Sequence, residues 1–121
     1  MTGEEKKAFL LLNSIIFHYH GLDEDEQELL DETADSLQAQ EELQWASDFI
    51  AQDYSTAFDR ARDYLKQVMD SLEREKRLEY MRRVWDANNQ KGYISEMEAM
   101  GMLQVAKDWG IEAELMKMVR S

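Results

Sequence analysis

The chain contains no proline and only five glycines in 121 residues. Proline breaks the interior of a helix and glycine weakens it, whereas sheet proteins need glycine-rich turns. Strong helix formers are abundant, and the apolar–polar alternation typical of a strand is nowhere sustained beyond a few residues. The sequence therefore predicts an all-α protein.

The length and the apolar content predict one domain that spans residues 1–121. Hydrophobic residues make up 44% of the chain, which is enough for a packed core without a metal or a crosslink. There are no cysteines, and this excludes disulfides and thiolate metal sites and suits a reducing compartment. No run approaches the roughly 18 apolar residues that a membrane span requires. We therefore expect a cytoplasmic protein that does not engage a membrane.

Apolar spacing and capping signals predict six or seven helices. Phe9–Phe17 is the most apolar stretch, and we expect it to form a central, buried helix. A Ser, Thr or Asp followed three residues later by Glu is typical of a capping box at a helix start. Capping boxes are predicted at Thr2 with Glu5, Asp23 with Glu26, and Ser95 with Glu98. Ser55 is predicted to cap the fourth helix, and residues 73–86 are predicted to form the fifth. Helices are predicted to end at Gly21 and at Gly110.

Two segments of the sequence share an order of features. In residues 16–26 and 84–98, an apolar–aromatic pair is followed by a glycine, an apolar residue and a capping box. Beyond the caps, three inner positions correspond at a constant offset, pairing Leu30, Ala34 and Leu37 with Met102, Ala106 and Trp109. We therefore predict two similar helix–loop–helix units, with two further helices between them.

This layout resembles the TerB-like family, the all-helical domain named after tellurite-resistance proteins and also found joined to J-domains. Family members have two related halves whose loops usually read Ala-Asp-Gly-x-apolar-Ser-x-x-Glu. The second unit is similar in Gly92, Ile94, Ser95 and Glu98, followed by Trp109–Gly110–Ile111. The resemblance covers most of the chain and implies a non-enzymatic module with links to acidic metal sites and stress responses. The family's loop Asp is replaced by His20 in the first unit and Lys91 in the second.

The loop of the second unit also resembles an EF-hand. If the loop starts at Asp86, oxygen ligands occupy its first ligand positions, but Gly92 and Glu98 fall one position later than an EF-hand requires. If the loop starts at Ala87, Gly92 and Glu98 fall at the required positions, but the first oxygen ligands are lost. Neither register works without an insertion, so a plain helix–loop–helix turn is favoured over tight calcium binding. The candidate ligands for a divalent cation are Asp23, Asp25, Glu26, Glu28, Asp86, Asn88 and Glu98.

Charge is unevenly distributed along the chain. The net charge is -12, and no Lys or Arg occurs between Ala8 and Asp59. This pattern indicates either a solvated acidic face or a surface for a basic protein, and it disfavours nucleic acid, whose phosphates need a basic footprint. Methionines near the C-terminus could line an adaptable docking surface. The candidate partner-binding residues are Glu28, Asp31, Glu32, Asp35, Met97, Met100 and Met116, with Met118 beside them.

No catalytic constellation is visible. The sequence contains no Gly-rich phosphate loop, no Gly-x-Ser-x-Gly and no zinc-ligand spacing. We therefore predict a TerB-like module that binds a protein partner, with no catalytic residues and no cofactor. A divalent-cation sensor or buffer is one alternative, an acidic decoy for a basic protein is another, and the oligomeric state stays open.

Overall fold

The most apolar stretch of the sequence forms the central helix. In a computed structural model, which describes residues 1–18, 22–90 and 92–120, helix α1 covers Gly3–His18. Every side chain from Ala8 to Phe17 is buried, so this helix has no solvent face along most of its length. It contacts five of the other helices, and the prediction of a central helix is confirmed.

The remaining helices pack around α1. The described residues contain no strand and form a single helical domain, which confirms the predicted fold class. None of the described helices is long and apolar enough to cross a membrane. The other helices are α2 (Glu24–Leu37), α3 (Gln40–Ala51), α4 (Ala57–Asp70), α5 (Arg74–Gln90), α6 (Glu96–Asp108) and α7 (Glu112–Arg120).

The core has two parts, one on each side of α1. The larger cluster joins α1 to helices α3 to α7 and includes the buried Trp109 and Tyr80. The smaller cluster joins α1 to α2 and α3 through Leu10, Leu30 and Leu43. The apolar inner face of α2 therefore packs into the smaller cluster, and its polar face is exposed to solvent.

Two of the three predicted capping boxes are complete. The amide of Glu26 donates to Asp23, the Glu26 carboxylate accepts from the Asp23 amide, and Ser95 and Glu98 repeat this exchange. At Thr2 only half of the box forms: the Glu5 amide donates to the Thr2 hydroxyl at 3.1 Å. The Glu5 carboxylate accepts a hydrogen bond from Tyr80, so a distant tyrosine takes the carboxylate that would have closed the box.

The prediction that Ser55 caps the fourth helix is wrong. Helix α4 begins at Ala57 after Thr56, and no side chain caps it. The carboxylate of Asp53 instead accepts from both the amide and the hydroxyl of Ser55, which keeps Ser55 inside the turn. Arg60 then fastens this turn by donating to the carbonyls of Phe49 and Asp53.

Helices α2 and α6 end in the same way. Gln38 and Gly110 adopt left-handed backbone conformations with φ of 53° and 73°. In each case the next amide reaches back to a carbonyl five residues earlier, joining Ala39 to Ala34 at 2.8 Å and Ile111 to Ala106 at 2.9 Å. The predicted stop at Gly110 is confirmed, whereas the predicted stop at Gly21 lies outside the described residues.

Candidate functional site

Two large apolar side chains lie on the outer surface of the first turns of α6. Met97 and Met100 are 46% and 60% exposed, and their spacing of three residues places them on one side of the helix. Tyr93, which is 54% exposed, lies in the turn before the helix. The opposite side of α6 packs into the core through Met102, Val105 and Ala106. We call Met97 and Met100 the outer α6 face. Neither side chain belongs to the buried core, so both are accessible to another molecule.

The predicted acidic face of α2 is exposed and divides into two flanks. Glu28, Asp31, Glu32 and Asp35 all reach solvent, as predicted. Asp31 and Asp35 lie on the flank beside α3, where they accept hydrogen bonds from the amides of Gln27 and Gln40 at 3.1 and 2.8 Å. Glu28 and Glu32 lie on the opposite flank. Identical charges on one helix therefore have different neighbours.

The second flank forms a cleft with the end of α5. Its volume is about 310 Å³, and its lining residues are Asp25, Glu28, Leu29, Glu32 and Gln90. Within residues 1–18, 22–90 and 92–120, none of these three carboxylates forms an ion pair. We call this feature the α2–α5 cleft. It is acidic on the α2 side, and the α5 side contributes an amide.

A groove between α5 and α7 was not anticipated from the sequence. It has a volume of about 440 Å³, with an apolar floor and a rim of both charges. Its lining residues are Leu78, Arg82, Trp85, Asp86, Glu114, Lys117 and Met118. Leu78 and Trp85 have the helical spacing that is typical of core positions, but they are only half-buried. Periodicity identifies an inward-facing side chain and does not say whether another helix covers it.

The candidate metal ligands at the start of α2 divide into two pairs. Asp23 and Glu26 exchange hydrogen bonds with each other's backbone, whereas Asp25 and Glu28 are exposed and line the α2–α5 cleft. In the part of the chain that the structure describes, no group of three or more His, Asp or Glu side chains is close enough to hold an ion. Metal binding by these residues therefore remains a prediction.

The candidate ligands in the second unit are also separated. The fifth helix continues to Gln90, four residues beyond the predicted end, so Asp86 and Asn88 are helical. Asn88 is buried and donates to the carbonyl of Val84 at 2.9 Å, and Glu98 is buried in its capping box. A calcium-binding loop takes its first ligands from non-helical backbone. Neither EF-hand register is therefore formed at these positions.

The basic residues of α5 are largely occupied within the protein. Arg77 donates to the carbonyls of Met69, Leu72 and Trp109, which joins the C-terminal ends of α4 and α6. Arg74 donates to the carbonyl of Gly110 and pairs with Glu114. The pairing with Arg74 lowers the pKa of Glu114. These cations support the fold at helix ends, where carbonyl groups need donors.

A small cavity lies at the end of α1. Its volume is about 170 Å³, and His18 lines it together with Ile15, Ile50, Tyr54 and Phe58. The imidazole packs beside the Tyr54 ring, with 6.4 Å between the ring centroids. Burial among these groups lowers the pKa of His18, because the protonated ring is poorly solvated here.

The sequence predicted both methionines of the outer α6 face as contact residues. It did not single out Tyr93, which precedes Ser95, the N-cap of α6, where helical spacing gives no signal. Met116, the remaining candidate, is half-buried. Comparisons with protein-family models, with curated proteins and with solved structures find no match to this chain.

Proposed function

We propose that this protein is a non-enzymatic interaction module that binds a protein partner through the outer α6 face. The observation that carries the proposal is the grouping of Met97 and Met100 on one exposed side of α6. Exposed apolar side chains are ordinary when scattered, but their grouping on one side is typical of a contact surface. Methionine suits such a surface because its flexible thioether adapts to the shape of a partner.

The treatment of other methionines in the chain supports this interpretation. Met69, Met81 and Met102 are completely buried and fill the core. The chain therefore uses methionine as a packing residue elsewhere, and Met97 and Met100 do not serve that purpose. Leaving them in water makes no contribution to folding, so a role in binding is the simplest physical reason for them.

The test is a capture experiment with three forms of the tagged protein. The wild type is compared with Met97→Gln/Met100→Gln and with Tyr54→Ser, which alters an exposed aromatic residue outside the outer α6 face. We expect the wild type and the Tyr54 variant to capture the same protein, and the double variant to lose it. Circular dichroism confirms that each variant is folded. Equal capture by the double variant contradicts the proposal.

The TerB-like resemblance bears on the biological setting of this module. It suggests a role in a stress response, which remains part of the proposal. The measurement is whether loss of the chain from its host sensitises cells to a defined stress, with rescue by the wild type and not by Met97→Gln/Met100→Gln. Rescue by both forms separates the stress role from the outer α6 face.

An acidic decoy for a basic protein is the second candidate function. It is favoured by the exposed carboxylates of α2, none of which pairs with a cation in the described chain. A purely electrostatic decoy loses its partner steeply as salt is added, whereas apolar contact persists. Capture at low and at high salt therefore distinguishes the two. Calorimetric titration with calcium separately tests the cation-sensor hypothesis, which binding heat would support and its absence at millimolar calcium would reject.

A further inference from the structure

A polar cavity lies where α1, α2 and α5 meet. Its volume is about 240 Å³, which is below the usual range for sites of drug-sized molecules and suits a small ligand. The residues that line it include Phe9 and Asn13 of α1, Thr33 and Ser36 of α2, and Arg83 and Asp86 of α5. We call it the α1–α2–α5 cavity. It shares no residue with the outer α6 face.

Arg83 is held in this cavity by an aromatic ring. Its guanidinium carbon lies 4.7 Å from the centroid of the Phe9 ring, and Phe9 itself is only 2% exposed. The ring covers one face of the guanidinium, whose N–H groups point outward from its edges. Among the described residues, no carboxylate forms an ion pair with Arg83. The cavity therefore contains an oriented cation that is available to an anionic group.

The other polar groups of the cavity are mainly hydrogen-bond acceptors. The hydroxyls of Thr33 and Ser36 each donate to a backbone carbonyl of α2, so a ligand meets their oxygens as acceptors. Asn13 is 2% exposed and donates to the carbonyl of Phe9 at 2.8 Å, and in the described chain its carboxamide oxygen has no hydrogen-bond partner. Asp86 adds a carboxylate that forms no ion pair within the described residues. These acceptors suit a ligand group that carries several N–H donors.

We propose that the α1–α2–α5 cavity binds a free α-amino acid, whose carboxylate is held by Arg83 and whose ammonium group is held by Asp86 and the oxygen of Asn13. Asp86 would repel a simple anion, and Arg83 would repel a simple cation. An α-amino acid carries both charges on one carbon, and the donors of its ammonium group match the acceptors of the cavity. Arg83 and Asp86 lie three residues apart on α5, so they border the same part of the cavity. This site goes beyond the proposed function and does not depend on it.

The probe is L-alanine, compared with analogues that each lack one feature. Propionate lacks the ammonium group, ethylamine lacks the carboxylate, and N-trimethylated alanine keeps both charges but has no N–H donor. Binding is followed by NMR titration of isotope-labelled protein, because the side-chain N–H signals of Asn13 and Arg83 report on the cavity directly. We expect L-alanine to shift these signals and to bind at least about tenfold more tightly than any of the analogues.

Matched variants of α5 separate contacts in the cavity from general charge effects. Arg83→Gln should weaken L-alanine binding at least about tenfold and remove the preference for L-alanine over ethylamine. Asp86→Asn should weaken binding to a similar extent and remove the preference over propionate. The controls Arg82→Gln and Glu79→Gln alter exposed positions of the same helix outside the cavity lining, and each should change binding less than about twofold. Thermal unfolding shows that each variant is folded, and the exposed Asp86 still tests the proposal if Arg83→Gln is not.

Several outcomes would overturn the inference. Equal binding of propionate would make the cavity an anion site, and equal binding of ethylamine would make it a cation site. Equal losses in the variants and their controls would mean a general charge effect. If neither L-alanine nor the larger L-glutamine shifts the signals of Asn13 and Arg83 at millimolar concentration, the cavity holds only solvent. Met97→Gln/Met100→Gln should leave L-alanine binding unchanged, so failure of this proposal and failure of the proposed function can be told apart.

Discussion

The first turns of α2 and α6 have the same kind of capping box but present different side chains to solvent. Each starts with a complete capping box whose glutamate, Glu26 or Glu98, is 0% exposed. Outside, α2 presents carboxylates, whereas the start of α6 presents Met97 and Met100. Local capping and packing therefore determine the position of such a helix in the fold, while its exposed residues can vary to suit binding.

Further matched positions extend the likeness along both helices. Leu30 and Met102 are buried at equivalent distances from the caps. Both helices also close through a left-handed residue, Gln38 in α2 and Gly110 in α6. The two-unit repeat remains a prediction, since Gly21, on which one of its loops depends, lies outside the described residues.

Replacing either buried glutamate by alanine should have the largest effect and tests whether the two helix starts are energetically equivalent. Glu26→Ala and Glu98→Ala each remove a hydrogen bond to a cap amide and leave a cavity, at a cost of about 2–4 kcal/mol in the free energy of unfolding. Urea denaturation measures both. The exposed neighbours Glu24 and Glu96 are the controls, and their alanine variants should cost less than about 1 kcal/mol. If the losses in the free energy of unfolding at the two buried sites differ by more than about 1.5 kcal/mol, the two helix starts are not energetically equivalent.

The left-handed helix ends should respond in opposite directions. Gln38→Gly relieves a side chain from a conformation that favours glycine and should stabilise the fold by up to about 1 kcal/mol. Gly110→Ala introduces that strain and should destabilise it by about 1 kcal/mol, since open space around the added carbon excludes a steric cause. Thermal unfolding of both variants checks the signs. A destabilising Gln38→Gly would show that the glutamine side chain contributes more than its backbone costs.

The exposed sides should matter little for stability. Glu28→Gln/Glu32→Gln relieves repulsion within α2 and should stabilise the fold by a few tenths of a kcal/mol, more so at low salt. Met97→Gln/Met100→Gln should leave the free energy of unfolding within about 0.5 kcal/mol at any salt concentration. Urea denaturation at two salt concentrations measures both. A large loss in the methionine variant would show that the outer α6 face belongs to the core.

Acidic pH should act at the end of α1, outside the two compared helices, and should have the smallest effect. Burial lowers the pKa of His18 below its ordinary value of 6.5, so the unfolded chain binds this proton more tightly than the folded chain. The free energy of unfolding should therefore fall as pH decreases through about 6.5. The measurement is urea denaturation of wild type and His18→Gln at neutral and mildly acidic pH. An identical pH dependence in both proteins would rule out this contribution from His18.

Much of the helical framework followed from short-range patterns. The boxes at Asp23 and Ser95 were predictable because their hydrogen bonds join residues three apart. The end of α5 was not predictable, because Asn88 looks like a loop residue but is buried within the helix, where its side chain donates to the carbonyl of Val84. Ser55 failed as a cap because Asp53, two residues away, competes for its amide and hydroxyl.

The candidate binding surface could also be predicted only in part from the sequence. The sequence identified Met97 and Met100 as adaptable methionines near the C-terminus, and the acids of α2 as positions opposite its apolar face. It could not distinguish the flank of Glu28 from that of Asp31, since both are exposed positions on one helix. Only the packing of α5 and α3 on either side of α2 separates them.

The sequence predicts the all-helical class, most helix starts and the excess of negative charge, because these depend on contacts within one or two turns and on composition. Which side chains meet over long separations depends on the tertiary structure. Glu5 gives its carboxylate to Tyr80, Met102 is buried while Met100 is exposed, and Trp85 lines an open groove. Helical periodicity specifies the direction of a side chain from its own axis. What that side chain meets depends on where the other helices pack, and no local pattern contains this information.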